Sequence, residues 1–184
     1  LLAEQRGLHM IPSFHPDLVS GVASYWSELL AAQPALDLLL VPIGQGSGIC
    51  AAVAAREALG LRCRIVGVVS AHAPAYQLSF RRGASVAAPV STVLADGMAC
   101  RVPDQDSLEI ILKYVDDVVA VSDDEVAAAM KLLYVATHNV AEGAGAAALA
   151  AALQMKEQLR QRRIGLPLSG ANVDHEQFAR VLRA

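Results

Sequence analysis

The sequence predicts an α/β fold: a mostly parallel sheet with flanking helices. Three observations carry this reading. Nearly continuous apolar runs alternate with helical patterns along the 184 residues, as strands buried on both faces require. A glycine-rich loop joins the first apolar run to the helix after it. No repeat or low-complexity linker interrupts the alternation, so the elements belong to one α/β unit.

Asp17 to Ala32 predicts a helix with Val19, Val22, Trp26 and Leu29 on one face. Gln33-Pro34 stops it, and Leu36 to Val41 is the first strand, ended by Pro42. The loop Gly44-Gln45-Gly46-Ser47-Gly48 follows, and a small-residue helix runs from Ile49 to Leu59 and stops at Gly60. Arg64 to Val69 is the second strand, which completes a right-handed strand, helix, strand unit. Asp104 to about Tyr114 predicts a short helix with Leu108, Ile111 and Leu112 on its apolar side, and Asp117 to Val121 the next strand. Ser122 with Glu125 three residues later forms a capping box and opens a helix through about Val135. An Ala-dense helix runs from Gly143 to about Leu159, a short strand from Ile164 to Leu168, and a closing helix from Asp174 to Leu182. Ligands are expected at the loops that follow the strand ends.

Composition narrows the function classes. Hydrophobic residues make up 54% and charged residues 18%, which excludes disorder, and aromatic residues only 4%. The net charge is -3, and the 15 Lys and Arg are scattered except at Arg160, Arg162 and Arg163. No nucleic-acid partner is expected, because nothing would neutralise a row of phosphates. No membrane partner is expected either: apolar stretches such as Ala144 to Ala152 are far shorter than the about 20 residues a span needs. Cys50, Cys63 and Cys100 form no CxxC pair and are odd in number, which fits a reduced, cytoplasmic setting. His9, His15, His72, His138 and His175 lack metal-ligand spacing, so no metal site is expected.

The loop is the most informative local feature. Three glycines in five residues between a strand and a helix let backbone N–H groups converge on an anion at a helix N-terminus. A tight turn with no ligand is the alternative. A nucleotide P-loop needs Lys and Ser/Thr after its last glycine, where Ile49-Cys50 stands. A dinucleotide loop wants GxGxxG and an acid ending the second strand, and this chain has GxGxG and Val69-Ser70. A hydrolase elbow wants GxSxG, and Gln45 and Ile49 flank Ser47 two residues away.

Four stretches together resemble another family. They are Val41 to Ile49, Ala95-Asp96-Gly97, Glu142-Gly143-Ala144-Gly145, and Leu168-Ser169-Gly170-Ala171-Asn172-Val173-Asp174. Their order is similar to that in serine/threonine dehydratases, pyridoxal-phosphate enzymes of the tryptophan-synthase-β type. The resemblance runs from about Gly7 to Leu182. Gly67 to Pro74 is most similar to threonine-dehydratase-like enzymes, including those linked with hydroxyectoine breakdown.

The resemblance implies the larger part of a two-domain pyridoxal-phosphate enzyme fold, with residues 1–184 as the C-terminal part of its large domain. It implies pyridoxal phosphate as cofactor, held at its phosphate by Gly44, Gln45, Gly46, Ser47 and Gly48. Ser169 matches the serine that hydrogen-bonds the pyridine nitrogen. Glu142 matches an acid near the ring, with a helix-start charge as its alternative. Asp96 is a further candidate, and an Asp-Gly turn explains it almost as well. Val69 and Ala75 stand where cation-binding relatives carry acids, so magnesium or calcium is not expected. The family's Schiff-base Lys, substrate-carboxylate loop and small domain fall upstream of Leu1; Lys113, Lys131 and Lys156 sit on predicted helices. The chain is therefore expected to be a fragment without its catalytic Lys. The implied reaction is β-elimination from a hydroxy amino acid such as threonine or serine, giving a 2-oxo acid and ammonia. The implied assembly is a cytoplasmic homo-oligomer. A non-catalytic phosphate-binding or assembly module of the same fold is the competing reading.

Overall fold

A computed structural model describes residues 2–183, and the predicted apolar runs form its sheet. The elements are α1 (Leu2–Arg6), α2 (Pro16–Ala32), β1 (Leu38–Pro42), α3 (Ser47–Ala58), β2 (Arg64–Ser70) and α4 (Ala75–Arg82). A single 3₁₀ turn, Asp96–Met98, precedes α5 (Gln105–Tyr114), β3 (Asp117–Val121), α6 (Asp123–Thr137), α7 (Gly143–Gln154), β4 (Ile164–Gly165) and α8 (His175–Arg183). The strand order is β3-β2-β1-β4 and every pairing is parallel. Leu39 lies opposite both Ile65 and Gly165, which makes β1 a central strand.

Strand alternation sends the side chains of β1 into two cores. Leu39 and Val41 join Trp26, Leu30, Ile49 and Ile111 on the face covered by α2, α3 and α5. Leu38 and Leu40 join Val126, Met130, Ala147 and Ala151 under α6 and α7. Burial on both faces is why the strand reads as an unbroken apolar run rather than an alternating one. Gly67 of β2 leaves room for Ile43, whose Cδ1 would lie 2.5 Å from a Cβ placed there.

The boundaries differ from the sequence reading in instructive ways. Helix α3 begins at Ser47 rather than Ile49, because Gly46 turns the chain at φ 101° and serves as its N-cap. Strand β4 stops after Gly165, well short of Leu168; Pro167, in the missing part, has no N–H to give a ladder. Helix α7 stops at Gln154 rather than Leu159, and residues 155–161 continue as turns. Helix α4 lies in a stretch with no predicted element, a short helix between Pro74 and Gly83. The capping box is present: Ser122 Oγ accepts from Glu125 N at 3.3 Å, and Ser122 N donates to Glu125 Oε2 at 2.7 Å. Among the described residues no helix is long and apolar enough to cross a membrane.

Arg56 ties three elements together from the end of α3. Its Nη1 donates to the Cys63 carbonyl at 3.3 Å and its Nη2 to the Tyr114 carbonyl at 3.2 Å, while Nε pairs with Glu57 at 3.1 Å. Substituting Arg56→Leu leaves two carbonyls without donors at the start of β2 and the end of α5. A loss of about 2 kcal/mol is expected, read as a lowered urea midpoint with an unchanged slope.

Candidate functional site

The loop from Gly44 to Gly48 crosses from the C-terminal end of β1 to the first turn of α3. Among the described residues no protein group accepts from the backbone N–H of Gly44, Gln45, Gly46, Ser47 or Gly48. The carbonyls are treated differently. Tyr76, buried to 1% exposure, donates its hydroxyl to the Gln45 carbonyl at 2.8 Å. Trp26 donates its indole N–H to the Gly48 carbonyl at 3.0 Å. The acceptors are held by the core, and the donors stay free at the positive end of α3. That arrangement can hold an anion.

The four motif stretches meet here by backbone contact. A Cβ at Gly44 would lie 2.5 Å from the Gly97 carbonyl oxygen, and one at Gly97 would lie 3.0 Å from Ala144 Cβ. At Gly145 a Cβ would lie 2.3 Å from the Gly170 oxygen, and at Gly143 it would lie 2.1 Å from the Leu94 oxygen. The glycines of Glu142 to Gly145 are therefore packing residues that let α7 touch two loops.

The candidate side chains divide into two groups. Ser47, Gly48 and Ser169 line one cavity of about 520 Å³, whose other wall is Val22, Tyr25 and Leu29 of α2. Ser169 is exposed, and no protein group among the described residues bonds its hydroxyl. Glu142 lies beside that segment rather than free. Its Oε2 accepts from Asn172 N at 3.1 Å and its own N–H donates to the Gly170 carbonyl at 3.1 Å, so it braces the Ser169 loop. Asp96 Oδ1 accepts from Gly97 N at 2.9 Å. Gly97, rather than Asp96, touches the anion loop. Lys113 and Lys131 lie on α5 and α6 and Lys156 beyond α7; none lines the cavity. Val69 and Ala75 are buried, and among the described residues no cluster of three or more His, Cys, Asp or Glu could hold a metal ion.

Sequence reasoning assigned Trp26 only to helix burial and did not single out Tyr76 or Ser107. No local pattern marks them, because their partners lie 22 and 31 residues away. Burial keeps the neighbouring groups neutral. It pushes the Tyr76 hydroxyl up to about 12, and burial, with Asp104 nearby, pushes the Cys50 thiol up to about 12.

These loops meet at the C-terminal edge of a parallel sheet, and comparison with known proteins gives the family. Residues 1–170 match the family described as pyridoxal-phosphate dependent enzyme, and the chain belongs to it. It is 34% identical over 183 residues to an L-threo-3-hydroxyaspartate ammonia-lyase of Pseudomonas sp., covering 99% of this chain and 57% of that protein. An L-threonine ammonia-lyase of Thermotoga maritima is 30% identical over 182 residues, covering 98% of this chain and 45% of that protein. The structure of the processed form of threonine deaminase isoform 2 from Solanum lycopersicum superposes with a TM-score of 0.90 at 26% identity, over 99% of this chain and 51% of that one. The chain spans about half the length of the curated relatives it matches.

Two outcomes follow from this packing and burial. Gly145→Ala forces a Cβ against the Gly170 carbonyl and should destabilise the chain by about 2 kcal/mol in a denaturant melt. The Cys50 thiol ionises near 12 when folded against an ordinary 9.0. The folded state therefore holds that proton more tightly, and the stabilisation is complete below 9.0 and lost as the pH rises toward 12. Urea midpoints measured across that window should fall, and Cys50→Ala should make the fall shallower.

Proposed function

We propose that this chain is the phosphate- and ring-binding portion of a pyridoxal-phosphate ammonia-lyase acting on a β-hydroxy amino acid of the threonine or serine type. The observation that carries the reading is the row of free N–H groups from Gly44 to Gly48, opening through Ser47 and Gly48 onto the cavity that Ser169 also lines. The residues present fit the cofactor: unpaired donors at a helix N-terminus suit its phosphate, and an unpartnered hydroxyl suits its ring nitrogen. When bound, pyridoxal phosphate supplies an electron sink beside the substrate's α-carbon.

Each residue then has a defined task. Gly44 to Gly48 bind the phosphate through the backbone, and Trp26 keeps the Gly48 carbonyl turned away from that charge. Ser169 holds the ring nitrogen with a hydroxyl, which does not enforce a protonated ring as a carboxylate would, and so favours elimination over transamination. Glu142 orients the Ser169 loop through Asn172 N. The relatives named as threonine and hydroxyaspartate ammonia-lyases support the substrate class. Lys113, Lys131 and Lys156 do not line the cavity, so none of them would reach a cofactor held there. Three free, buried thiols support a cytoplasmic setting. Exposed Leu132, Val135 and Val140 offer apolar surface for a homo-oligomer contact.

Titration with pyridoxal phosphate tests this reading. Weak binding that inorganic phosphate displaces is expected, with Ser169→Ala weakening it further. Borohydride should fix the cofactor to no single Lys, and these residues alone should not turn over threonine or serine. Stoichiometric labelling of one Lys together with turnover would overturn the assignment, as would binding indifferent to phosphate.

A further inference from the structure

Deepening the reading above and resting on it, we propose that Tyr76 is a positioning residue of the phosphate cradle: its hydroxyl, by holding the Gln45 carbonyl, aims the Gly46 N–H at the anion. The carbonyl of Gln45 and the N–H of Gly46 belong to one planar peptide group and point in opposite directions. All peptide bonds of the described chain are trans. With the carbonyl bonded to Tyr76 at 2.8 Å, the N–H must face away from the core.

The protons of the cluster can be placed. Tyr76 Oη accepts from Asp104 N at 3.1 Å and lies 2.5 Å from Ser107 Oγ. A phenol has one proton and two acceptor sites. The Gln45 carbonyl takes its donor from Tyr76, and Asp104 N–H donates to Tyr76; Ser107 Oγ shares the short contact with Tyr76 and also lies 3.1 Å from the Asp104 carbonyl, to which it can donate. Tyr76 and Ser107 are both buried, at 1% and 0% exposure, so water does not compete for these bonds. The ionisation of Tyr76 near 12 keeps its proton in place throughout the neutral range.

The peptide needs such a hold because the glycine makes it easy to turn. Gly46 sits at φ 101°, and glycine tolerates both this conformation and its reverse. A flip of the Gln45–Gly46 peptide would point a carbonyl oxygen at the anion in place of an N–H. Ser107 closes the cradle from behind, since a Cβ at Gly46 would lie 2.6 Å from Ser107 Cβ. Tyr76 and Ser107 thus act through the loop and do not touch the anion.

The test compares two ligands that lack an aldehyde and so cannot react with surface lysines: pyridoxine 5′-phosphate and pyridoxine. Their dissociation constants are measured by amide NMR shifts on the 184-residue chain and on its Tyr76→Phe variant. The wild-type preference for the phosphate ester is expected to fall about tenfold in the variant, with pyridoxine binding unchanged. An unchanged preference, or an equal loss for both ligands, overturns the proposal and leaves the phosphate assignment of the loop standing. A wild-type chain with no preference for the ester overturns that assignment itself and the proposal with it. If Tyr76→Phe does not fold, Ser107→Ala carries the comparison: it removes the hydroxyl in short contact with Tyr76 and should lower the preference about threefold. No change there overturns the proposal.

Discussion

The site depends on how closely bare glycine backbone can approach its neighbours. Gly44 against the Gly97 carbonyl, Gly97 against Ala144, and Gly145 against the Gly170 carbonyl form a continuous series of contacts. Any side chain inserted at Gly44, Gly143 or Gly145 would push one loop away from the next, because interiors at native density have no space to absorb an added methyl. The series links the ends of β1 and β4 to the start of α7. One Glu side chain completes it: a Cβ at Gly170 would lie 2.1 Å from Glu142 Oε1, while Glu142 Oε2 accepts from Asn172 N.

Polarity follows from the same packing. Because the loop rests on a closed core, its carbonyls can be claimed by buried donors on either side, Trp26 from α2 and Tyr76 from α4. The Gly46 N–H, in the same peptide as the Gln45 carbonyl, then faces the opposite direction, where α3 adds the positive end of its dipole. A row of backbone donors built this way carries no formal charge of its own, and none of the 15 Lys and Arg supplies one within the loop.

Much of this was legible in the sequence. Unbroken apolar runs located β1, β2 and β3, because strands buried on both faces have no polar side to show. The glycine spacing located the loop, and Ser122 with Glu125 located the start of α6. Other features were hidden for physical reasons. β4 is two residues long and α4 eight, too short for a periodic signal. Tyr76 and Ser107 meet the loop only through tertiary contact, and nothing near them in the chain distinguishes them from ordinary core residues. Gly97 was hidden in the same way: its neighbour Asp96 drew attention by residue type, while the close contact with the loop is made by the Gly97 carbonyl.

The two non-glycine residues of the loop have a geometric account. Gln45 and Ser47 are absent from the non-glycine residues with positive φ, which are His138 and Gln161 alone among the described residues. Both therefore occupy conformations open to any side chain, and their N–H groups are kept. Gln45 sends its side chain toward Cys100, whose thiol lies 3.7 Å from Oε1, while Ser47 places its residue on the cavity wall. Gly48 is not compelled either, since a Cβ there would meet only the Pro42 oxygen at 4.0 Å. Two positions remain that demand glycine, Gly44 for space and Gly46 for backbone conformation. A loop presenting five free N–H groups thus needs glycine at only two of them, and the other three positions are free to vary in side chain without losing a donor.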